Sequence, residues 1–144
     1  MKTDPKARYQ GYTFFFKEGF CWTDINSTFL KARLKAKGVF DVVSMSLFTQ
    51  TYLPDWYYVC LINTDLMSLY VDNFINNTSH FQINDARQTP VVIPSENHLK
   101  RLEILFSEAH DEQIRSLTQG IRNNSALLII QNKIDEVVNG LYQI

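Results

Sequence analysis

The sequence is poor in the residues that mark several protein classes. Glycine occurs five times and always singly, which argues against a glycine-rich phosphate-binding loop. With only four prolines besides, 144 residues leave little room for long disordered segments. The two cysteines, Cys21 and Cys60, lie in separate hydrophobic runs and are interpreted as buried free thiols rather than a disulfide.

Long hydrophobic runs are absent too. The longest apolar runs fall far short of the roughly 20 residues that a membrane-spanning helix needs. No apolar segment follows the first lysine and arginine residues, so no secretory signal is predicted. We therefore expect a soluble, cytoplasmic protein without a membrane partner.

Catalytic constellations are missing as well. The three histidines, His80, His98 and His110, have no metal-ligand spacing, and no catalytic cysteine–histidine pair stands out. The acidic pairs 111–112 and 135–136 are interpreted as solvated helix faces. We expect no catalytic residue, metal or cofactor in this chain, and a nuclease would need a carboxylate cluster that the pattern does not supply.

The near-neutral net charge of −1 conceals a strong asymmetry. Residues 1–40 have a net charge of +5, residues 41–90 of −4 and residues 91–144 of −2. Within the basic third, residues 30–37 alternate between apolar and cationic side chains, the cations being Lys31, Arg33, Lys35 and Lys37. This alternation predicts a half-buried strand whose cations could neutralise phosphates. A solvated face or a lysine-protected edge strand explains the pattern equally well.

The order of patterns predicts an α+β fold with a mixed or antiparallel sheet, followed by two C-terminal helices. Residues 1–94 are expected to form the core domain, and residues 95–144 a helical tail. Within the core we predict strands at 8–16, 20–23, 30–37, 81–84 and 91–93, a strand pair within 39–48, and a helix near 65–75 capped at 63–65. Residues 56–62 are apolar throughout, so periodicity does not decide between helix and strand.

The tail begins at the predicted N-cap Ser95 and carries apolar residues at helical spacing. In its second helix a heptad-like seam is formed by Leu127, Ile130, Ile134, Val137 and Leu141. This seam predicts a helical hairpin, or a bent long helix, that packs against the core or a partner. A homodimer through the tail helices is one such partnership.

One stretch resembles a known family. Residues 76–95 read NNTSHFQINDARQTPVVIPS, which is similar to the NNTS-FQIND-R-PI-IP run in the target-recognition domain of type IIG and related N6-adenine DNA methyltransferases. Residues 59–68 and 134–142 resemble, in the same order, a helix start and the C-terminal end of these enzymes. The resemblance extends over roughly residues 10–144.

The resemblance implies a specificity domain without its catalytic half. In the family, a separate domain binds S-adenosylmethionine and carries an Asn/Asp-Pro-Pro-Tyr/Phe motif, and no Pro-Pro pair occurs here. The implied partners are double-stranded DNA and a methyltransferase catalytic domain, in cis or in trans. Amide, hydroxyl and basic groups suited to base edges and phosphates are offered by Asn76, Asn77, Ser79, His80, Gln82 and Arg87. Ordinary turn chemistry is the alternative explanation of the polar residues.

Two functions are therefore expected from the sequence. The first is sequence-specific recognition of double-stranded DNA as the non-catalytic specificity part of a restriction–modification methyltransferase. The second is a protein–protein interaction or dimerisation module that uses the heptad seam and binds no DNA. The basic N-terminal third favours DNA, whereas the near-neutral total charge favours the interaction module.

Overall fold

The chain has an α+β fold in which a small antiparallel sheet is followed by helices. A computed structural model describes residues 11–26, 29–39 and 44–143. A 3-10 helix at Tyr12–Phe14 precedes the elements β1 (Gly19–Thr23), β2 (Ala32–Lys35), β3 (Ser44–Leu47), α1 (Asp55–Ile62), α2 (Asp65–Phe74), α3 (Ile83–Ala86), α4 (Glu96–Gln119) and α5 (Ser125–Tyr142).

The sheet has β1 at its centre, between β2 and β3. Trp22 of β1 faces Ala32 of β2 on one side and Met45 of β3 on the other. The central strand starts at Gly19, where a Cβ atom would lie only 2.5 Å from the carbonyl oxygen of Leu47. Glycine is therefore required for β3 to approach this end of β1 so closely.

A side chain completes the hydrogen bonding of β2. The Asn63 amide accepts a hydrogen bond from the Ala32 amide group (2.6 Å) and donates one to the Ala32 carbonyl (3.0 Å). Asn63 thus makes the two bonds that a neighbouring strand would make, at the residue where the edge of β2 meets the end of α1.

Helix α1 is buried on most of its circumference, which explains why its sequence has no helical stripe. Its buried residues are Tyr57, Val59, Cys60, Leu61 and Ile62. The helix contacts β1, β2, α2 and α4, so apolar side chains are needed in nearly every direction. Thr64 then starts α2, where its hydroxyl accepts a hydrogen bond from the Met67 amide, as the predicted cap requires.

The last two helices form a hairpin that packs on the rest of the chain. Ser95 caps α4 as predicted, Gly120 ends it in the left-handed conformation, and Asn124 caps α5. The seam residues Ile134 and Val137 lie in the same hydrophobic cluster as Phe20 and Trp22 of the sheet. The seam is consequently used within the chain.

One predicted strand is replaced by a 3-10 helix in its described part, and two other predictions are only partly matched. The aromatic run before Lys17 contains the 3-10 helix rather than a strand, while Arg8–Gln10 lie outside the described residues. The strand predicted at 30–37 is shorter, Ala32–Lys35. Of the strand pair predicted within 39–48 the structure has one strand, Ser44–Leu47, and residues 40–43 lie outside the described residues. Ala32 is buried, but Leu34, the next residue on the same face of β2, is 44% exposed, so only the start of β2 packs into the core.

The strand predictions at 81–84 and 91–93 were wrong. Residues 82–85 form a capping box, in which Gln82 and Asp85 each bond the other's backbone, and this starts α3. Residues 91–93 have no regular secondary structure and pair with no strand of the described residues, and Ile93 is 69% exposed. Backbone carbonyls of this segment accept hydrogen bonds from tyrosine hydroxyls instead. Tyr57 donates to the Val92 carbonyl (2.7 Å) and Tyr142 to the Pro90 carbonyl (2.6 Å).

Candidate nucleic-acid interface

A polar cleft of about 410 Å³ lies between α2, the segment before β2 and the loop that follows α2. Its lining residues, which define what we call the polar cleft, are Asn26, Phe29, Leu30, Ser68, Leu69, Val71, Asp72 and residues 76–81. Four predicted site residues belong to it: Asn76, Asn77, Ser79 and His80. The cleft combines amide and hydroxyl groups with one exposed aromatic ring, Phe29.

The loop at 76–80 is shaped by its own side chains. The Asn76 amide nitrogen donates to the His80 carbonyl (2.8 Å) and to Oδ2 of Asp85 (2.9 Å). Its Oδ1 accepts from the Thr78 backbone amide (2.9 Å). These bonds close a compact turn at the end of α2, so the loop has one preferred shape.

The same loop is fastened to the end of β1. Ile25 and His80 form an antiparallel bridge, the Phe81 amide donates to the Asp24 carbonyl (2.9 Å), and the Asn26 amide donates to the Ser79 carbonyl (2.7 Å). Nδ1 of His80 lies 2.9 Å from Oδ2 of Asp24. The loop therefore sits on the sheet instead of extending into solvent.

The contact with His80 is important for the half-buried carboxylate of Asp24. Its other oxygen, Oδ1, is buried and has no hydrogen-bond partner among the described residues. A half-buried carboxylate with one unsatisfied oxygen is costly unless a nearby donor compensates it. His80 contacts the other oxygen, Oδ2, and so holds the carboxylate on one side. This contact gives the histidine a structural role beside any role in binding.

The predicted base-reading residues divide into two groups. Asn76 and Gln82 are used by the fold, since both amide hydrogens of Asn76 are bonded and the Gln82 side chain accepts from the Asp85 amide. The side chains of Asn77 and Ser79 are exposed and make no hydrogen bond to another described residue. These two are the groups that the loop leaves available to a ligand.

Arg87 lies away from the polar cleft. It is the exposed C-cap residue of α3 and forms no ion pair with Asp85 in the part of the chain that the structure describes. Asp85 is engaged instead by the Asn76 amide and by the Gln82 backbone (2.8 Å). The structure thus separates Arg87 from the loop residues with which the sequence grouped it.

The four cations of residues 31–37 also divide. Nζ of Lys35 donates to the carbonyls of Lys17 and Gly38, both at 3.1 Å, and lies 5.6 Å from the centre of the Phe48 ring. Lys35 therefore anchors the turns around the sheet. Lys31, Arg33 and Lys37 are exposed and pair with no carboxylate among the described residues.

Only one end of this basic segment is near the polar cleft. Lys31 directly follows Phe29 and Leu30, which line the cleft, whereas Lys35 pairs with Gly19 at the opposite end of β1. Four residues of extended chain separate Lys31 from Lys35 by about 13 Å. By chain position Lys31 is the cation nearest the cleft, and Arg33 follows it two residues later on β2.

No family model matches the chain. A search of curated proteins finds no match either. Across the described ranges, no group of three or more histidine, cysteine, aspartate or glutamate residues could hold a metal ion, and no helix is long and apolar enough to cross a membrane.

The sequence patterns missed Asn26, Phe29 and Asp72 as residues of the cleft. Phe29 is 47% exposed at the cleft. No aromatic enrichment surrounds Phe29 in the sequence. Phe29 is a residue of the cleft because the loop at 76–80 contacts the end of β1. Asp72 adds a negative charge on the α2 side, and no local pattern indicates that it faces the same space.

Proposed function

We propose that the chain recognises double-stranded DNA through the polar cleft, with the cations beside it contacting phosphates. The observation that carries the proposal concerns Asn77 and Ser79, whose exposed side chains make no hydrogen bond to another described residue. They line the same cleft as Phe29 and Leu30, which directly precede Lys31. Amide side chains pair well with adenine edges, and hydroxyls bond several bases. The resemblance to target-recognition domains of adenine methyltransferases supports the same function.

The roles within this site follow from exposure and bonding. Lys31 and Arg33 neutralise phosphates and place the domain on the duplex without reading sequence. Asn77 and Ser79 read base edges from a loop that its internal hydrogen bonds hold in shape. A preformed loop loses little conformational entropy on binding. The methyl transfer itself would be performed by a partner domain that binds S-adenosylmethionine.

Fluorescence anisotropy with a randomised DNA duplex pool tests the proposal, first at low salt and then at about physiological salt. Replacing Lys31 and Arg33 by alanine should weaken binding to all sequences and lower the salt dependence by about one to two phosphate contacts. The matched control replaces Lys100 and Arg101, two exposed cations of α4. Equal losses in both variants would contradict the assignment.

Base reading is tested separately. Asn77→Ala should relax the selected motif at one position and cost about 1–3 kcal/mol of discrimination there. Asn132→Ala is the control, because Asn132 is an exposed asparagine of α5 outside the cleft. Absence of DNA binding by the wild-type chain at low salt, with or without a methyltransferase partner, would refute the proposed function.

A protein–protein interaction module is the second candidate, and a different surface favours it. Ile134 and Val137 of the seam are buried within the chain, but apolar side chains are exposed elsewhere on the hairpin, among them Ile114 (50%), Leu117 (73%) and Leu128 (62%). Contiguous exposed apolar patches are typical of contact surfaces. If they mediate dimerisation, light scattering should show a dimer that Leu117→Glu converts to a monomer.

A further inference from the structure

A second cavity, of about 210 Å³, lies between the sheet and α1. Its lining residues, which define what we call the apolar cavity, include Phe20, Leu47, Tyr58, Met67, Ala86 and Val91. These come from β1, β3, α1, α2, α3 and the segment after α3, which meet around the cavity. The cavity is partly open to solvent, and Val91 at 44% exposure is its most exposed wall residue among these six.

The wall chemistry is apolar and uncharged. No acidic or basic side chain lines the cavity, and its polar side chains are the hydroxyls of Thr49, Tyr58 and Thr89. Each hydroxyl is bonded within the chain: Tyr58 to Thr51 (2.9 Å), Thr89 to the Ala86 carbonyl (2.7 Å), and Thr49 to a carboxylate oxygen of Asp55 (3.0 Å). The walls therefore offer nothing to compensate a desolvated charge.

The cavity is supported from several sides. The Phe20 and Tyr58 rings stack with their centres 5.4 Å apart and an interplanar angle of 5°. The segment that carries Val91 is held on both sides by tyrosine hydroxyls, at Pro90 and at Val92. Because these contacts resist inward movement of the walls, the space persists instead of closing by side-chain rearrangement.

We propose that the apolar cavity is a binding site for a small, uncharged, apolar molecule about the size of one substituted aromatic ring. A dry cavity of about 150 Å³ with leucine, isoleucine and phenylalanine walls is large enough to bind benzene. The present cavity exceeds that volume, and its Phe20–Tyr58 wall offers aromatic contacts. This site uses none of the residues of the polar cleft, so it is independent of the proposed DNA recognition.

Benzene is the probe for a direct test with the full chain, and benzoate is its charged control. Benzene should give nuclear Overhauser contacts to the Met67 methyl group and raise Tm by about 3 °C at a concentration about tenfold above Kd. Benzoate should do neither, because burial of its carboxylate would be uncompensated. Absence of the benzene contacts and of the Tm shift would overturn the proposal.

Two variants locate the site. Val91→Trp should block the opening and Ala86→Leu should fill the interior, and each should weaken benzene binding at least tenfold. Ile93→Trp is the matched control, because Ile93 lies on the same segment, is 69% exposed and does not line the cavity. Should Ala86→Leu fail to fold, Val91→Trp still decides. Undiminished benzene binding by folded Val91→Trp would overturn this location.

Discussion

At the scale of single residues, burial sets the chemistry of α1. Desolvation raises the pKa of the Cys60 thiol to about 12, and it also raises the pKa of the Tyr57 hydroxyl well above its ordinary range. Cys60 is only 3% exposed and lies in the hydrophobic core. Its thiol is therefore neutral at physiological pH and acts as an apolar core group, as its hydrophobic sequence context predicts.

This ionisation makes stability depend on alkaline pH. The unfolded Cys60 thiol releases its proton from about pH 9, but the folded one keeps it until about pH 12. The stabilising contribution is thus complete below pH 9 and falls between pH 9 and pH 12, by about 1.4 kcal/mol per pH unit at most. In urea titrations, Cys60→Ala should flatten the decline in unfolding free energy across this window.

The control for this experiment is Val59→Ala, which also removes buried volume from α1 but no titrating group. It should lower the unfolding free energy at every pH without changing the alkaline slope. If Cys60→Ala kept the wild-type slope, the thiol would not be the source of the alkaline destabilisation.

At the scale of secondary-structure elements, local sequence signals predicted correctly those features that do not depend on contacts with distant residues. The caps at Thr64 and Ser95 were predictable, because a cap needs only the hydroxyl and the next few backbone amides. Residues 81–84 show strand-like alternation, yet the Gln82–Asp85 capping box starts a helix there. The short buried strand expected at 91–93 is not formed. Tyr57 of α1 binds the Val92 carbonyl instead, and Tyr142 of α5 binds the neighbouring Pro90 carbonyl, which no local pattern reveals.

Thr64 joins two elements and should matter more than an ordinary cap. Its hydroxyl donates to the Leu61 carbonyl of α1 (2.7 Å) and accepts from the Met67 amide of α2 (3.2 Å), while only 1% of the residue is exposed. Thr64→Ala should lower the unfolding free energy by about 2 kcal/mol, since two buried groups lose their partner.

The exposed cap Ser95 is the matched comparison, and Ser95→Ala should cost about 1 kcal/mol or less. Thr64→Ser keeps the hydroxyl and should recover most of the loss. Equal costs of Thr64→Ala and Ser95→Ala in chemical denaturation would show that the α1–α2 junction contributes nothing beyond capping.

At the scale of the whole molecule, the sequence predicted an α+β fold followed by two helices, and this is confirmed. It also placed a boundary at residue 94, with the tail packing on the core or a partner. The hydrophobic cluster contains residues from both sides of that position. Leu102 of α4 and Val138 of α5 are fully buried in the same cluster as Trp22. The sequence pattern shows where the chain changes from sheet to helices. The shared core, however, depends on contacts between residues far apart in sequence, such as Trp56 and Phe106, whose ring centres lie 6.0 Å apart in a stacked arrangement.

The shared core predicts one cooperative unfolding transition for the sheet and the helical hairpin. The chain has two tryptophans, which report on different parts: Trp22 lies in the sheet, while Trp56 stacks on Phe106 of α4. In a Trp22→Phe variant, Trp56 fluorescence should follow the same urea curve as helical circular dichroism. In a Trp56→Phe variant, Trp22 fluorescence should do likewise, although each variant has its own midpoint.

If residues 95–144 were instead a separately stable tail, the dichroism would show two phases, with Trp56 following one and Trp22 the other. A single coincident transition in both variants would place the 50 C-terminal residues inside the folding unit that also shapes the polar cleft.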